Sequence, residues 1–202
     1  MPSGEHRARA KPIHMAKLFA GTTLQITTRR LTIRPVTGGD LADLFDINGD
    51  DEVTAFLPYI TWQSHEDGIA WLARMETLMA AETANQLVIS RTADQKILGT
   101  VLLFNFNAVS ACIELGYVLG RCHWRKGYAK EALAAVCQHV FANLGIHRIE
   151  AEVNTDNLAS NALLRRLGFV HEGHLRQRWV AKGVRYDTHV YGCLADEWRP
   201  VL

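Results

Sequence analysis

The chain has 202 residues, with 22 Lys and Arg against 21 Asp and Glu, 48% hydrophobic residues, 15 Gly and 5 Pro. This is the composition of one globular domain, and it excludes disordered and collagen-like chains. A formal charge of +1 supplies no broad basic field, so direct nucleic-acid binding is not expected.

A chain of this length buries about 70% of the surface it exposes when unfolded, so it needs neither disulfides nor a structural metal. The cysteines Cys112, Cys122, Cys137 and Cys193 contain no Cys-x-x-Cys pair, and no secretory leader precedes them; they read as reduced, mostly buried thiols. Among the histidines only His171-Glu-Gly-His174 is closely spaced, and two ligands do not make a zinc site, so no metal is expected. No apolar run approaches the roughly 18–20 residues of a bilayer span, and the expectation is a soluble, cytoplasmic protein with no membrane contact.

Charge is uneven locally. Residues 5–30 carry Arg7, Arg9, Lys11, Lys17, Arg29 and Arg30 against Glu5 alone, whereas residues 40–52 carry Asp40, Asp43, Asp46, Asp50, Asp51 and Glu52 with no Lys or Arg. Pro2, Gly4 and Pro12 break any amphipathic helix at the start, so residues 1–24 read as a basic flexible tail and 25–202 as a single domain.

The elements follow in chain order. Leu24, Ile26, Leu31 and Ile33 alternate with polar residues, broken once at Thr28–Arg30, and predict a first strand ending at Pro35. Leu41, Leu44, Phe45 and Ile47 fall on one face of a short helix over 40–48. Ser64 with Asp67 forms a capping box that opens a helix carrying Ile69, Leu72, Met75, Leu78 and Met79 up to about Glu82. Residues 87–90, 97–104 and 112–119 read as a three-strand meander. Ala129, Ala132, Leu133, Val136, Cys137, Val140 and Leu144 then mark a long helix that Gly145 stops. A strand over 146–153, a helix over 158–167 and final strands at 169–170 and 184–194 complete a mixed α/β domain.

The decisive segment is Tyr117-Val-Leu-Gly-Arg-Cys-His-Trp-Arg-Lys-Gly-Tyr-Ala-Lys, in which a strand runs through a basic, glycine-bearing loop into a helix N-terminus. The first turn of a helix leaves backbone N–H groups unpaired and carries partial positive charge, while Gly127 admits an anion close to the main chain. Neither a Walker A loop nor a dinucleotide fingerprint is present.

The segment Trp124-Arg-Lys-Gly127-Tyr-Ala129 resembles the pyrophosphate loop of the GNAT superfamily of acyl-CoA-dependent N-acetyltransferases, with Trp124 where Gln or Arg is usual. The resemblance extends to Arg30-Leu-Thr-Ile-Arg34-Pro, Glu114-Leu-Gly-Tyr117, the Asn154, Asn157, Ser160, Leu163 and Leu167-Gly-Phe169 series, and the closing segment 187–198. It covers about residues 25–200 and is similar to the Rim-type branch, which acetylates ribosomal-protein N-termini.

That resemblance implies a mostly antiparallel central sheet with a splayed strand pair, flanked by helices. It implies acetyl-CoA as acyl donor, held by Trp124, Arg125, Lys126, Gly127, Tyr128, Ala129 and Lys130, with the pantetheine arm along Leu115, Tyr117, Val118 and Leu119 and contacts from Asn154, Asn157 and Asn161. Glu114 is the implied base for the acceptor amine. The tyrosine that most of the superfamily uses as acid, four positions beyond Ser160, is replaced by Leu164; Ser160 is the implied substitute, with Tyr117 and Tyr128 as alternatives.

Purely structural readings stand beside these. Glu114 fits a solvent-facing strand position, Ser160 fits a helix cap, and Arg30 and Arg34 fit ion-pair partners of the acidic helix. The acidic stretch 40–62, with Phe56, Pro58, Tyr59 and Trp62, suits a cationic acceptor. A protein or peptide N-terminal amine fits the branch; a small-molecule amine, a longer acyl group, or a non-catalytic acyl-CoA-binding module are the alternatives. A homodimer is compatible with such a domain.

Overall fold

The computed structural model describes residues 24–199, so all but the last residue of the tail assigned to residues 1–24 lies outside it. Leu24 is already buried in the core and belongs to the domain. The first strand divides in two: β1 (Ile26–Thr27) and β2 (Leu31–Pro35) form an antiparallel hairpin pairing Ile26 with Ile33. The break in alternation at Thr28–Arg30 is the hairpin turn, closed by the Thr28 amide donating to the Leu31 carbonyl at 2.8 Å.

A 3-10 turn (Gly38–Asp40) leads into α1 (Leu41–Asn48), followed by the single-turn α2 (Asp51–Thr54) and then α3 (His65–Ala80). Ser64 and Asp67 form the expected capping box. The meander is β3 (Ala84–Arg91), β4 (Ile97–Asn107) and β5 (Cys112–Leu119), all antiparallel neighbours. Then come α4 (Tyr128–Asn143), β6 (Arg148–Asn154), α5 (Leu158–Arg166), β7 (Val170–Ala181) and β8 (Val184–Leu194).

The eight strands make one sheet in the order β1-β2-β3-β4-β5-β6-β8-β7. Alternation splits its two faces between helix layers. Leu31, Ile33, Leu87, Ile89, Ile113, Leu115, Ile149 and Ala151 meet α4 and α5 in the larger core. On the other face, Val36, Val88 and Ile97 meet Leu44 and Ile47 of α1, Leu72 of α3 and Trp62. Of the four free cysteines, Cys137 and Cys193 are buried, Cys112 is intermediate and Cys122 is exposed. Among the described residues no helix is long and apolar enough to cross a membrane.

One pairing is parallel. β5 and β6 match only at Cys112–Arg148, Ile113–Ile149 and Glu114–Glu150, and beyond Glu114 the two strands diverge. From Leu115 to Leu119, β5 pairs with β4 on one side while its other edge opens into the fork. A free strand edge presents backbone donors and acceptors that another extended chain can satisfy.

Candidate active site

The loop between β5 and α4 is held in an unusual backbone path. After a 3-10 turn (Arg121–His123), Arg125 adopts φ +58° and Gly127, the N-cap of α4, adopts φ +79°. Left-handed conformation is inexpensive for glycine, which accounts for Gly127. A Cβ there would stand 3.4 Å from Arg30 Nη2. The first amide to pair back into the helix is that of Glu131, donating to the Gly127 carbonyl at 3.1 Å. The preceding first-turn amides lack intrahelical partners, as at any helix start, and they sit beside Arg125, Lys126 and Lys130.

Trp124 and Arg30 brace the loop. Trp124 Nε1 donates to the Leu119 carbonyl at 2.7 Å, so the indole that replaces the usual Gln or Arg ties the loop to the end of β5. Arg30 Nη1 donates to the Lys126 carbonyl at 3.1 Å, and its guanidinium lies 4.4 Å from the centroid of the Tyr128 ring. Arg30 also pairs with Glu131 at 2.6 Å. The expected partner for Arg30 was the acidic helix; the hairpin turn instead delivers it to α4, and only Arg34 reaches the acidic segment, at Asp40.

Glu114 stands at the point where the sheet forks. Its side chain lies opposite the Ile113 and Leu115 face, bordering a cleft of about 300 Å³ that is also lined by Asn105, Glu152, Arg178, Trp179 and Val180. Asn105 Nδ2 donates to Glu114 Oε2 at 2.8 Å. A register shift in β4 between Phe104 and Asn107, with Asn105 at φ +51°, turns that amide towards the carboxylate. Burial raises the Glu114 pKa above the ordinary carboxylate range, neighbouring Glu152 and Glu150 add to the rise, and Asn105 and Arg178 oppose it.

On the opposite branch of the fork, Asn157 caps α5 by accepting from the Ser160 amide at 3.1 Å. The Tyr117 hydroxyl reaches across from β5 to donate to the Ser160 main-chain carbonyl at 3.4 Å, which joins β5 to the first turn of α5. Burial pushes the Tyr117 hydroxyl up to about 12, which keeps it protonated at neutral pH. Leu164 is fully buried in the α4–α5 core.

The asparagines divide. Asn154 Oδ1 accepts from the Asp156 amide, shaping the turn into α5. Asn161 is 3% exposed, and its amide is taken up by the chain itself: Nδ2 donates to the Asn154 and Asn157 carbonyls, while Oδ1 accepts from His189 Nδ1 and the Tyr191 hydroxyl, both at 2.8 Å. Its side chain organises the base of α5 rather than facing the fork. His171, His174 and His189 pack ring against ring, with His174 hydrogen-bonded to Asp187 at 2.7 Å.

The acidic stretch 40–52 does not form the cleft. Asp40 is held by Arg34, Asp43 and Asp46 by Lys96, Asp50 and Glu52 by Arg121, and Asp51 accepts from Thr61. Trp62 is core, and the Tyr59 hydroxyl donates to Asn48. These ion pairs tie the segment to β2, to the loop before β4 and to the turn after β5. The carboxylates that line the cleft are Glu114 and Glu152, and Glu152 was not singled out from sequence. Its place in the alternation Arg148, Glu150, Glu152 against buried Ile149, Ala151 and Val153 marked it only as polar.

The sequence profile of the acetyltransferase (GNAT) domain matches residues 30–170. The chain belongs to the GNAT acetyltransferase family. It is 34% identical over 166 residues to the uncharacterized N-acetyltransferase YoaA of Bacillus subtilis, covering 82% of this chain and 94% of that one. It is 27% identical over 184 residues to the ribosomal protein uS5-alanine N-acetyltransferase of Escherichia coli, covering 88% and 94%. Against the spermidine N(1)-acetyltransferase of Vibrio cholerae the identity is 23% over 159 residues, covering 79% and 90%. A probable GNAT-family acetyltransferase from Chromobacterium violaceum superposes with a TM-score of 0.82 at 28% identity, covering 98% and 97% of the two chains. This GNAT chain is therefore an N-acetyltransferase, and the splayed sheet is its family fold.

Proposed function

We propose that this GNAT enzyme moves the acetyl group of acetyl-CoA to the α-amine of a protein or peptide N-terminus, by direct attack and along Rim-type lines, in the cytoplasm. The observation that carries the reading is the position of Glu114: a partly buried carboxylate at the fork of the sheet, facing a cleft on one side with an open strand edge beginning beside it.

The residues fit the donor. Arg125 to Lys130 would hold its pyrophosphate, since the helix start supplies unpaired amides and the left-handed Gly127 keeps a side chain out of their way. Leu115 to Leu119 offer an unpaired strand edge suited to the amides of a pantetheine arm. Asn154 and Asn157, which shape the turn into α5, would border that path, and Asn161 would support that turn through its own hydrogen bonds. Acetyl-CoA supplies the thioester carbonyl and a thiolate leaving group.

The chain's own groups then carry the proton traffic. Glu114, made a stronger base by the rise in its pKa, accepts in its ionised form a proton from the ammonium form of the acceptor, leaving a neutral amine able to attack. A main-chain amide of β5 near Tyr117 or Val118 faces the carbonyl oxygen as charge develops on it. The Ser160 hydroxyl, in the first turn of α5, hydrogen-bonds the departing sulfur, which takes up the proton that the attacking amine gives up as the amide forms.

A second reading keeps the donor and exchanges the acceptor for a small cationic amine. The two carboxylates of the cleft favour it. Thiol release from acetyl-CoA, measured across short peptides with different N-terminal residues, spermidine and aminoglycosides, separates the two, with Gly127→Glu and Glu114→Gln as controls. Turnover on peptides that vanishes in Gly127→Glu and falls on the order of 100-fold in Glu114→Gln is the expected result. Turnover confined to spermidine or aminoglycosides would replace the acceptor, and turnover undiminished in Glu114→Gln would remove Glu114 as the base.

A further inference from the structure

The cleft that borders Glu114 already contains a cation. Arg178 reaches Glu152 through Nη2 to Oε1 at 3.2 Å and Nε to Oε2 at 3.4 Å, and its side chain is 55% exposed while that of Glu152 is 15% exposed. Glu152 is fixed from the other side, where Oε2 accepts from Trp179 Nε1 at 2.7 Å. Arg178 and Trp179 of β7 are aimed by a defect in that strand. The pairing of β7 with β8 slips between Leu175 and Trp179, Gln177 turns to φ +51°, and its amide donates to Asp187 Oδ1 at 2.8 Å. This bulge sends Arg178 and Trp179 back over β6.

The contacts differ in strength. The Trp179 hydrogen bond is short and partly sheltered; the Arg178 contacts are long and exposed to water, which screens such pairs. Arg178 can therefore leave Glu152 without disturbing it. The third carboxylate nearby, Glu150, is occupied by Arg148 at 2.7 Å. With Glu114 and Glu152 ionised and Arg178 in place, the walls of the cleft carry one net negative charge.

We propose that Arg178 is a specificity-determining residue: a built-in counter-ion on Glu152 that leaves the cleft matched to an acceptor with one positive charge and discriminates against polyamines. This rests on the reading of the Glu114 cleft as the acceptor site. A peptide with a single N-terminal ammonium group engages Glu114 while Arg178 stays on Glu152. A polyamine would have to use both carboxylates and meet or displace the guanidinium.

Equilibrium binding tests this apart from chemistry. Spermidine and an uncharged-side-chain peptide amide are titrated calorimetrically into wild type, Arg178→Gln, Arg178→Lys, Glu152→Gln and the Arg178→Gln/Glu152→Gln double variant, with the melting temperature of each recorded. The Gln at position 152 keeps an acceptor for Trp179. Arg178→Gln is expected to bind spermidine about fivefold or more tightly than wild type, with a smaller gain for the peptide. The Lys variant should behave as wild type, and the gain should disappear in the double variant. Spermidine affinity unchanged or weakened in Arg178→Gln, or raised equally in the double variant, overturns the proposal. Failure of Glu114 as the base shows instead as full turnover in Glu114→Gln, a separate result from these titrations.

Discussion

Arg30 Nε lies 2.6 Å from Glu131 Oε2, a contact that joins the first hairpin turn to the first turn of α4. Glu131 also accepts from Thr28 Oγ1 at 2.7 Å and from the Arg30 amide at 3.0 Å. Burial would lift this carboxylate's pKa, but the hydrogen bonds from Thr28 and Arg30 outweigh it and hold the group below its usual range. Its stabilising contribution is thus present above the unfolded-state pKa and fades as pH falls through the lower folded value. Glu131→Ala strands these donors and should cost about 2 kcal/mol, read as a lower urea midpoint. Because Arg30 also holds the Lys126 carbonyl, acetyl-CoA affinity should fall severalfold; unchanged affinity would make the tie purely structural.

Gly127 offers a sharper test of the loop. Its φ of +79° costs an L-residue about 1–2 kcal/mol, and alanine would bring a Cβ to 3.4 Å from Arg30 Nη2. Gly127→Ala should therefore weaken acetyl-CoA binding with a modest loss of melting temperature. Gly127→Glu adds a negative charge where the anion is to lie and should abolish binding. Calorimetry with acetyl-CoA decides the matter, and wild-type affinity in Gly127→Glu would remove the loop as the pyrophosphate site.

Glu114 links activity to pH. As a base it must be ionised, so kcat/KM should rise through a pKa above the ordinary carboxylate range. Asn105→Ala removes the hydrogen bond that favours the charged form and should move that limb to higher pH. Stability runs the other way. A folded-state pKa raised above the unfolded value means that the favourable contribution exists below the unfolded pKa and is lost as pH climbs through the folded one. Glu114→Gln should melt no lower than wild type at pH 8 while losing on the order of 100-fold in turnover. A pH profile indifferent to Asn105 would break the link.

These residues also show what could be read from the linear chain. The capping box at Ser64 is legible from the spacing of Ser64 and Asp67, and β5 and the apolar face of α4 from burial patterns that repeat at the period of each element. β7 was visible only at its first residue, because nearly all of its length is exposed and no buried face repeats along it. The cleft suffered for the same reason. Glu114 and the Gly127 loop sit in recognisable segments, whereas Asn105, Arg178 and Trp179 are aimed by two strand irregularities that leave no periodic trace. The ion pairs of the acidic run at 40–52 were not legible, because charge in sequence does not disclose Arg34, Lys96 and Arg121, which arrive from elsewhere in the chain.

Asn161 should behave as a structural residue. Its four hydrogen bonds knit the β6–α5 turn to β8, and alanine would leave the buried Tyr191 hydroxyl without its acceptor. A loss of about 2–4 kcal/mol is expected in Asn161→Ala by urea unfolding. Asn161→Asp should fare little better, because a carboxylate cannot donate to the Asn154 and Asn157 carbonyls. A stable Asn161→Ala with weakened acetyl-CoA binding would instead make it a contact residue.

The absence of a tyrosine at position 164 is a matter of packing as well as chemistry. Leu164 is completely buried between α5 and α4, so restoring a tyrosine there would overpack the core and should destabilise the protein by about 1–3 kcal/mol without supplying an acid. The proton donor must come from a group that faces the fork. Ser160 lies in the first turn of α5, and Tyr117 approaches it from β5 through a contact of 3.4 Å, too long to fix the hydroxyl firmly. Ser160→Ala is expected to lower kcat at least about tenfold with little change in KM, the mark of an interaction made as the thiolate departs. Tyr117→Phe, which removes a weak contact to the Ser160 carbonyl, should lower kcat less than about threefold. Steady-state kinetics on the two variants distinguishes them: a larger loss in Tyr117→Phe would transfer the role from the serine to the tyrosine.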